Sequence, residues 1–102
     1  MFPKITAKNI NIGEQTKDFI EKKFKKLDRY KDYITNCELT LYKEGHRCIS
    51  ECYIHLTKKP PIISKVTEND LIVAIQKTAE KTMNQIRKIA DKIHDRTKNR
   101  WR

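Results

Sequence analysis

The apolar residues of this chain recur with two different periods, and the changes of period divide the chain into six elements. The opening segment PKITAKNI alternates with a period near two, which predicts a first strand at about residues 3–10. After Gly13 the spacing becomes helical, and at about 100° per residue one face collects the apolar side chains. These are Phe19, Ile20, Phe24, Leu27 and Tyr30. The spacing predicts a first helix at about residues 14–30.

Three later segments return to the period of a strand. They are ITNCELTLY at residues 34–42, CISECYIHL at 48–56 and IISKVT at 62–67. The segment KEGH supplies a turn between the first two, which predicts an antiparallel hairpin, and TKKPP is expected to break the chain before the third. The alternate polar positions should form a solvated sheet face, made by Glu38, Thr40, Tyr42, Glu51, Tyr53 and His55.

A second helix follows the last strand. Asp70, with the preceding Glu-Asn pair, is expected to cap its first turn. Its buried stripe is predicted to contain Leu71, Ile75, Thr78, Ala79, Ile86, Ile89 and Ile93. The helix should persist to about residue 94, and residues 96–102 are predicted to be a flexible basic tail.

The order β-α-β-β-β-α predicts an α+β fold in a single domain spanning residues 1–102. A right-handed crossover through the first helix would make the first two strands parallel. The remaining strands can continue as an antiparallel meander. The prediction is therefore a four-stranded sheet with two helices packed on one face and the other face open to water.

The net charge of +10 is concentrated in the helices. Residues 14–31 hold seven basic against four acidic residues, residues 77–102 hold nine against three, and the rest of the chain holds seven against six. A general solubility coat would spread its charge over loops and the outer sheet face as well. The distribution favours a polyanionic partner, such as nucleic acid.

The basic residues of each helix form a stripe away from its apolar face. On the first helix they are Lys22, Lys25, Lys26 and Arg29, with Lys23 at the border of the apolar face. On the second they are Lys77, Lys81, Lys88 and Lys92. If the helices lie side by side, the two stripes can flank a groove that binds a phosphate backbone without reading its sequence. The alternative is two solvated helix faces with Glu–Lys pairs, for which the acidic residues are few.

Two segments resemble the ribosome hibernation promoting factor and ribosome-associated inhibitor family. ITAKNINIGEQTKDFIEKKFKKLDRY is similar to the family's opening strand and helix, through Phe19, Ile20, Glu21, Lys23, Phe24, Lys26, Leu27 and Tyr30. The last helix is similar to the family's through Asp70, Ala74, Ile75, Glu80, Lys81, Gln85, Ile86 and Lys88. The resemblance covers about residues 4–94. Ile72, Asn84 and the TKKPP loop depart from the usual pattern.

The resemblance implies a cytoplasmic protein that binds the small ribosomal subunit in the decoding channel. Such a protein blocks translation and preserves idle ribosomes under stress, without a cofactor or a small-molecule substrate. It is expected to be a monomer off the ribosome, because the dimerisation domain of long members would not fit. RNA-binding residues carried over from the family are Lys23, Lys26, Lys81, Gln85, Arg87 and Lys88. The charge stripes add Lys22, Lys25, Arg29, Lys77 and Lys92. The basic ending HDRTKNRWR favours the type that promotes ribosome dimers over the type with an acidic tail.

Other classes of function fit the residues less well. A general double-stranded-RNA-binding module has a similar sheet and two helices but usually opens with a helix. A membrane-surface protein would need apolar helix stripes that the sheet already requires, and no apolar run approaches the roughly 20 residues of a membrane span.

The cysteines and histidines raise the possibility of a metal site or thiol catalysis. Cys48 and Cys52 share the inward face of their strand, whereas His55 points outward and His46 lies in the turn. Cys37 would lie near Cys52 if the turn has four residues. Three cysteines do not make a secreted disulfide framework, so buried, reduced thiols are expected. No enzyme activity is expected, because the sequence shows no His-Cys pair with a third orienting group.

Overall fold

The predicted order of elements is present in the computed structural model, which describes the backbone of residues 2–99 and the side chains of residues 2–92. The elements are β1 (Lys4–Lys8), α1 (Glu14–Phe24), a 3₁₀-helix (Lys25–Tyr30), β2 (Ile34–Glu44), β3 (Arg47–Leu56), β4 (Lys59–Glu68) and α2 (Leu71–Asn99). This order confirms the predicted β-α-β-β-β-α fold.

The four strands form one mixed sheet in the order β1-β2-β3-β4. β1 and β2 are parallel, with Ile5 beside Leu39, because the intervening α1 crosses over the sheet before the chain re-enters it. β2, β3 and β4 follow as an antiparallel meander. β1 and β4 are therefore the two edge strands.

The core lies between one face of this sheet and the two helices. Inward strand side chains pack in one cluster with apolar side chains from both helices, and the cluster includes Leu39, Leu41, Cys52, Ile54, Ile62, Ile20, Phe24, Leu27, Ile75 and Ile86. The six predicted outer-face residues are all partly exposed, as expected. Ile49 is an exception on that face, because it is buried between Tyr42 of β2 and Thr67 of β4.

The first helix differs from its prediction in its second half. The α-helix ends at Phe24, and residues Lys25–Tyr30 continue as a 3₁₀-helix. Its tighter winding changes the angle between successive side chains to about 120°. Leu27 still points into the core and Tyr30 packs against it, so the apolar face survives.

The two hairpin turns are tighter than expected. β2 and β3 are joined by Gly45 and His46 alone, with Gly45 in the left-handed region at φ 60°. The shorter turn shifts the register, so that Leu39 rather than Cys37 lies opposite Cys52. The segment TKKPP does not break the chain, because Thr57 and Lys58 make the turn and β4 begins at Lys59.

The early start of β4 brings Pro60 and Pro61 into a strand. A proline has no amide hydrogen for a neighbouring strand, and it is tolerated here because β4 lies at the edge of the sheet. The edge position is visible only once the strand order is known.

The second helix begins as predicted and ends later. Oδ1 of Asp70 accepts hydrogen bonds from the backbone N–H groups of Ile72 at 2.8 Å and Val73 at 3.2 Å. The helix continues to Asn99 rather than ending near 94. The predicted flexible tail at 96–102 is thus helical as far as Asn99, and residues 100–102 lie outside the described residues. No helix in the described part of the chain combines the length and apolar content needed to cross a membrane.

Candidate nucleic-acid interface

A groove of about 630 Å³ separates α1 and its 3₁₀ extension from α2. One wall is formed by Lys23, Lys26 and Arg29. The other wall is formed by α2 residues Gln76, Ala79, Glu80, Met83, Asn84 and Arg87. Four of the predicted binding residues therefore meet in one cleft, from segments about 60 residues apart in the sequence. We call it the inter-helix groove.

Aromatic side chains hold two of the basic groups in place. The Nζ atom of Lys23 lies 5.5 Å from the centre of the Phe19 ring, and the guanidinium of Arg29 lies 5.8 Å from the centre of the Tyr30 ring. Contacts of this kind attract the cation to the ring face. They leave the N–H donors of both groups available to an anion, and Lys23 is partly buried by the packing of its stem.

The inter-helix groove has an excess of positive charge. Its lining includes four basic side chains and one acidic side chain, Glu80, which accepts a hydrogen bond from Gln76 at 3.4 Å. Within the described residues, none of Lys23, Lys26, Arg29 and Arg87 forms an ion pair with a carboxylate. These cations are free to neutralise phosphate groups.

The basic stripe of α2 does not line this groove, which corrects the prediction of two stripes around one cleft. Lys77 forms an ion pair with Glu68, the Nζ atom of Lys81 lies 3.5 Å from the carbonyl oxygen of Lys65, and Gln85 contacts Ser64. All three contacts reach β4. The apolar face of α2 lies on the sheet and α1 packs along one flank, so the stripe occupies the opposite flank.

This opposite flank is a second basic surface. Lys88 and Lys92 follow Lys81 at helical spacings that keep them on the same side of α2, and Lys92 also lines a hollow beside Lys59 of β4. The surface, which we call the β4-side stripe, contains Lys77, Lys81, Lys88, Lys92 and Lys59. Sequence reasoning missed Lys59, because only the tertiary structure places β4 next to α2.

Two of the predicted basic residues belong to neither surface. Lys22 and Lys25 are exposed, and neither lines the inter-helix groove. Sequence reasoning also missed Gln76 and Met83 on the α2 wall. Asn84, noted as a departure from the family pattern, does line the groove.

The cysteines and histidines are not brought together. Cys37, Cys48 and Cys52 are buried free thiols. Nε2 of His55 lies 3.3 Å from Oε2 of Glu38 on the opposite face of the sheet, and His46 is exposed in the turn. The described residues contain no group of three or more His, Cys, Asp or Glu side chains placed to hold a metal ion.

Comparison with known proteins adds a family and a fold. Residues 4–94 match the family described as sigma 54 modulation protein / S30EA ribosomal protein. The Protein Y N-terminal domain of Thermus thermophilus superimposes with a TM-score of 0.74 at 24% identity, covering 84% of this chain and 94% of that chain. A ribosomal subunit interface protein from Coxiella burnetii superimposes with a TM-score of 0.79 at 18% identity, covering 89% and 99%. Curated proteins give no match.

Proposed function

The chain belongs to the sigma 54 modulation protein / S30EA ribosomal protein family, the hibernation-factor family indicated by its two helices, and from that premise we propose that it binds the small ribosomal subunit. It occupies the decoding channel, excludes messenger and transfer RNA from it and preserves the idle ribosome. It acts in the cytoplasm as a monomer that needs no cofactor.

The inter-helix groove is the observation that carries the proposal. It combines Lys23, Lys26 and Arg29 with Arg87, and none of the four forms an ion pair with a carboxylate of the described residues. An RNA backbone supplies phosphates to such a cleft whatever its sequence, and the release of their counterions supplies much of the affinity. Binding in this mode suits a protein that recognises a structural RNA by shape and position.

The β4-side stripe extends the contact to the other flank of α2. With basic side chains on both flanks, α2 can lie between two segments of folded RNA and be held from both sides. A protein wedged in this way obstructs the channel by its bulk and requires no chemical step. On the open sheet face Glu38 lies beside Lys4 and Glu51 beside Lys65, so the basic side chains there have acidic neighbours, and this face is expected to contribute little to RNA binding.

The experiment is sedimentation of the chain with purified small subunits. The double variant Lys26→Glu with Lys88→Glu changes one residue on each basic surface. Its matched control, Lys8→Glu with Lys43→Glu, makes the same change in charge on exposed residues of β1 and β2. The first variant should remain in the supernatant and should not inhibit translation in a cell-free assay. The control should sediment with the small subunits and inhibit translation, as the parent does.

Two results would reject the proposal. One is co-sedimentation of the Lys26→Glu, Lys88→Glu variant at the parent level, with its melting temperature unchanged. The other is binding to free RNA duplexes as tight as binding to small subunits, which would favour the double-stranded-RNA-binding module.

A further inference from the structure

One acidic side chain, Glu80, lies among the cations of the inter-helix groove. It lines the groove with the four basic side chains, and within the described residues it forms no ion pair with any of them. A carboxylate in this position repels phosphate. A groove that bound only a phosphate backbone would therefore bind it more tightly without Glu80.

The Glu80 carboxylate has room for further hydrogen bonds. Its Oε1 atom accepts one from Nε2 of Gln76, one helical turn earlier, at 3.4 Å. A carboxylate has two oxygens and about four acceptor positions, so both oxygens can still accept from a ligand. Glu80 is exposed, and a ligand that enters the groove can reach it.

The groove also has an apolar surface beside Glu80. Ala79 and Met83 both line it, Ala79 as a buried member of the core cluster and Met83 packed against that cluster. Met83 lies three positions after Glu80, which makes the two side chains neighbours on one face of α2. A thioether packs favourably against aromatic rings. A flat ring on Met83 can therefore present its edge to the carboxylate.

The charges of the groove select a neutral ligand with N–H donors. The four cations repel a cationic ligand, and the carboxylate repels phosphate from its own position. An unpaired RNA base is neutral, and phosphates flank it on both sides. Among the four bases, guanine alone presents two adjacent N–H donors at its Watson–Crick edge, on N1 and N2, and these match the two oxygens of one carboxylate.

We infer that the inter-helix groove binds an unpaired guanine of the small-subunit ribosomal RNA through Glu80. The N–H groups on N1 and N2 of the base donate to the carboxylate, the ring packs on Met83, and the flanking phosphates lie on Lys23 and Arg87. The inference rests on the proposed function and adds a base contact to a groove that otherwise meets the RNA backbone. Extruded bases are held in proteins by this combination of apolar packing and hydrogen bonds to the Watson–Crick edge.

The test is chemical probing of small subunits saturated with the full chain. Kethoxal modifies N1 and N2 of unpaired guanines, and hydroxyl radicals report which parts of the RNA backbone are protected. Glu80→Gln keeps the size of the side chain, replaces one acceptor oxygen by an N–H₂ donor and makes the groove more positive. Its control is Glu44→Gln, which makes the same change in charge at an exposed residue of β2 outside the groove.

The parent and the Glu44→Gln control should protect one unpaired guanine from kethoxal. Glu80→Gln should leave that guanine about tenfold more reactive, which is the discrimination expected of a base contact with two hydrogen bonds. Its backbone protections should persist, because the variant gains positive charge and loses no cation.

Equal protection of the guanine by Glu80→Gln and by the parent would overturn the inference and leave the proposed function intact. Protection of an adenine or a cytosine from dimethyl sulfate that depends on Glu80, with no guanine protected, would also overturn it. Absence of backbone protections in the parent would reject the proposed function and this inference with it.

Discussion

Cys37 of β2 lies diagonally across from Cys52 of β3, and the two buried thiols belong to the same core cluster. The interaction with the Cys52 thiol and, second, burial raise the pKa of the Cys37 thiol far above its usual range. The interaction with Cys37 lowers the pKa of the Cys52 thiol in turn. The relationship follows from the two-residue turn at Gly45 and His46, which sets the register of β2 against β3.

Burial should make the thiols slow to react despite the lowered pKa of Cys52. A thiolate must be reached by the reagent before it can attack, and Cys52 has no exposed surface. We expect native protein to react with Ellman's reagent no faster than it unfolds, and all three thiols to react at once in denaturant. Rapid native labelling of three thiols would contradict the strand register.

Two buried threonines on α2 should respond differently to the same substitution. The Thr78 hydroxyl donates to the carbonyl of Ala74 at 2.8 Å and lies 3.3 Å from that of Ser50. Within the described structure, the buried Thr82 hydroxyl makes no hydrogen bond of ordinary geometry, although it lies near the Cys52 thiol. Thr78→Val should therefore lower the free energy of unfolding by about 1–3 kcal/mol, because it leaves a buried carbonyl short of a donor.

Thr82→Val should change the free energy of unfolding by less than about 0.5 kcal/mol, or raise it, since it replaces a poorly paired hydroxyl by a methyl group. Urea denaturation of both variants provides the measurement. Equal losses of unfolding free energy in the Thr78→Val and Thr82→Val variants would mean that the contact between Thr78 and the Ser50 carbonyl contributes nothing to stability.

The capping hydrogen bonds of Asp70 and the negative charge of its carboxylate should make separate contributions to the stability of α2. Asp70→Ala removes the acceptor for the N–H groups of Ile72 and Val73, and should cost about 0.5–2 kcal/mol of stability. Asp70→Asn keeps an oxygen acceptor without the charge and should recover most of the loss. Thermal unfolding in 0.5 M salt checks this prediction, because salt screens the helix dipole but not the hydrogen bond. An Asn variant as unstable as the Ala variant would point to charge instead.

The affinity for small subunits should fall steeply with salt. The logarithm of the binding constant is expected to decrease linearly with the logarithm of salt concentration, with a slope near −0.7 to −0.9 per phosphate contacted. Arg87→Gln in the inter-helix groove and Lys88→Gln on the β4-side stripe should each reduce that slope by about one. Lys43→Gln is the control and should leave it unchanged. A slope altered only by Arg87→Gln would restrict the RNA contact to the groove.

The periodic pattern of apolar residues determined the order of elements, the parallel first pair of strands, the solvated sheet face and the cap at Asp70. These features depend on local spacing and on general rules of chain connection, both of which a single sequence contains. The sequence alone also showed that the positive charge is concentrated in the helices and that the chain resembles the family.

Tertiary packing decided how the basic residues are divided. A helix has two flanks, and spacing alone does not say which flank meets a neighbouring helix and which meets an edge strand. The packing of α1 against one side of α2 placed Arg87 in the inter-helix groove and sent Lys77, Lys81 and Lys92 to β4. The hollow between Lys59 and Lys92 arises in the same way, because an edge strand and a helix that are adjacent only in space form its two sides.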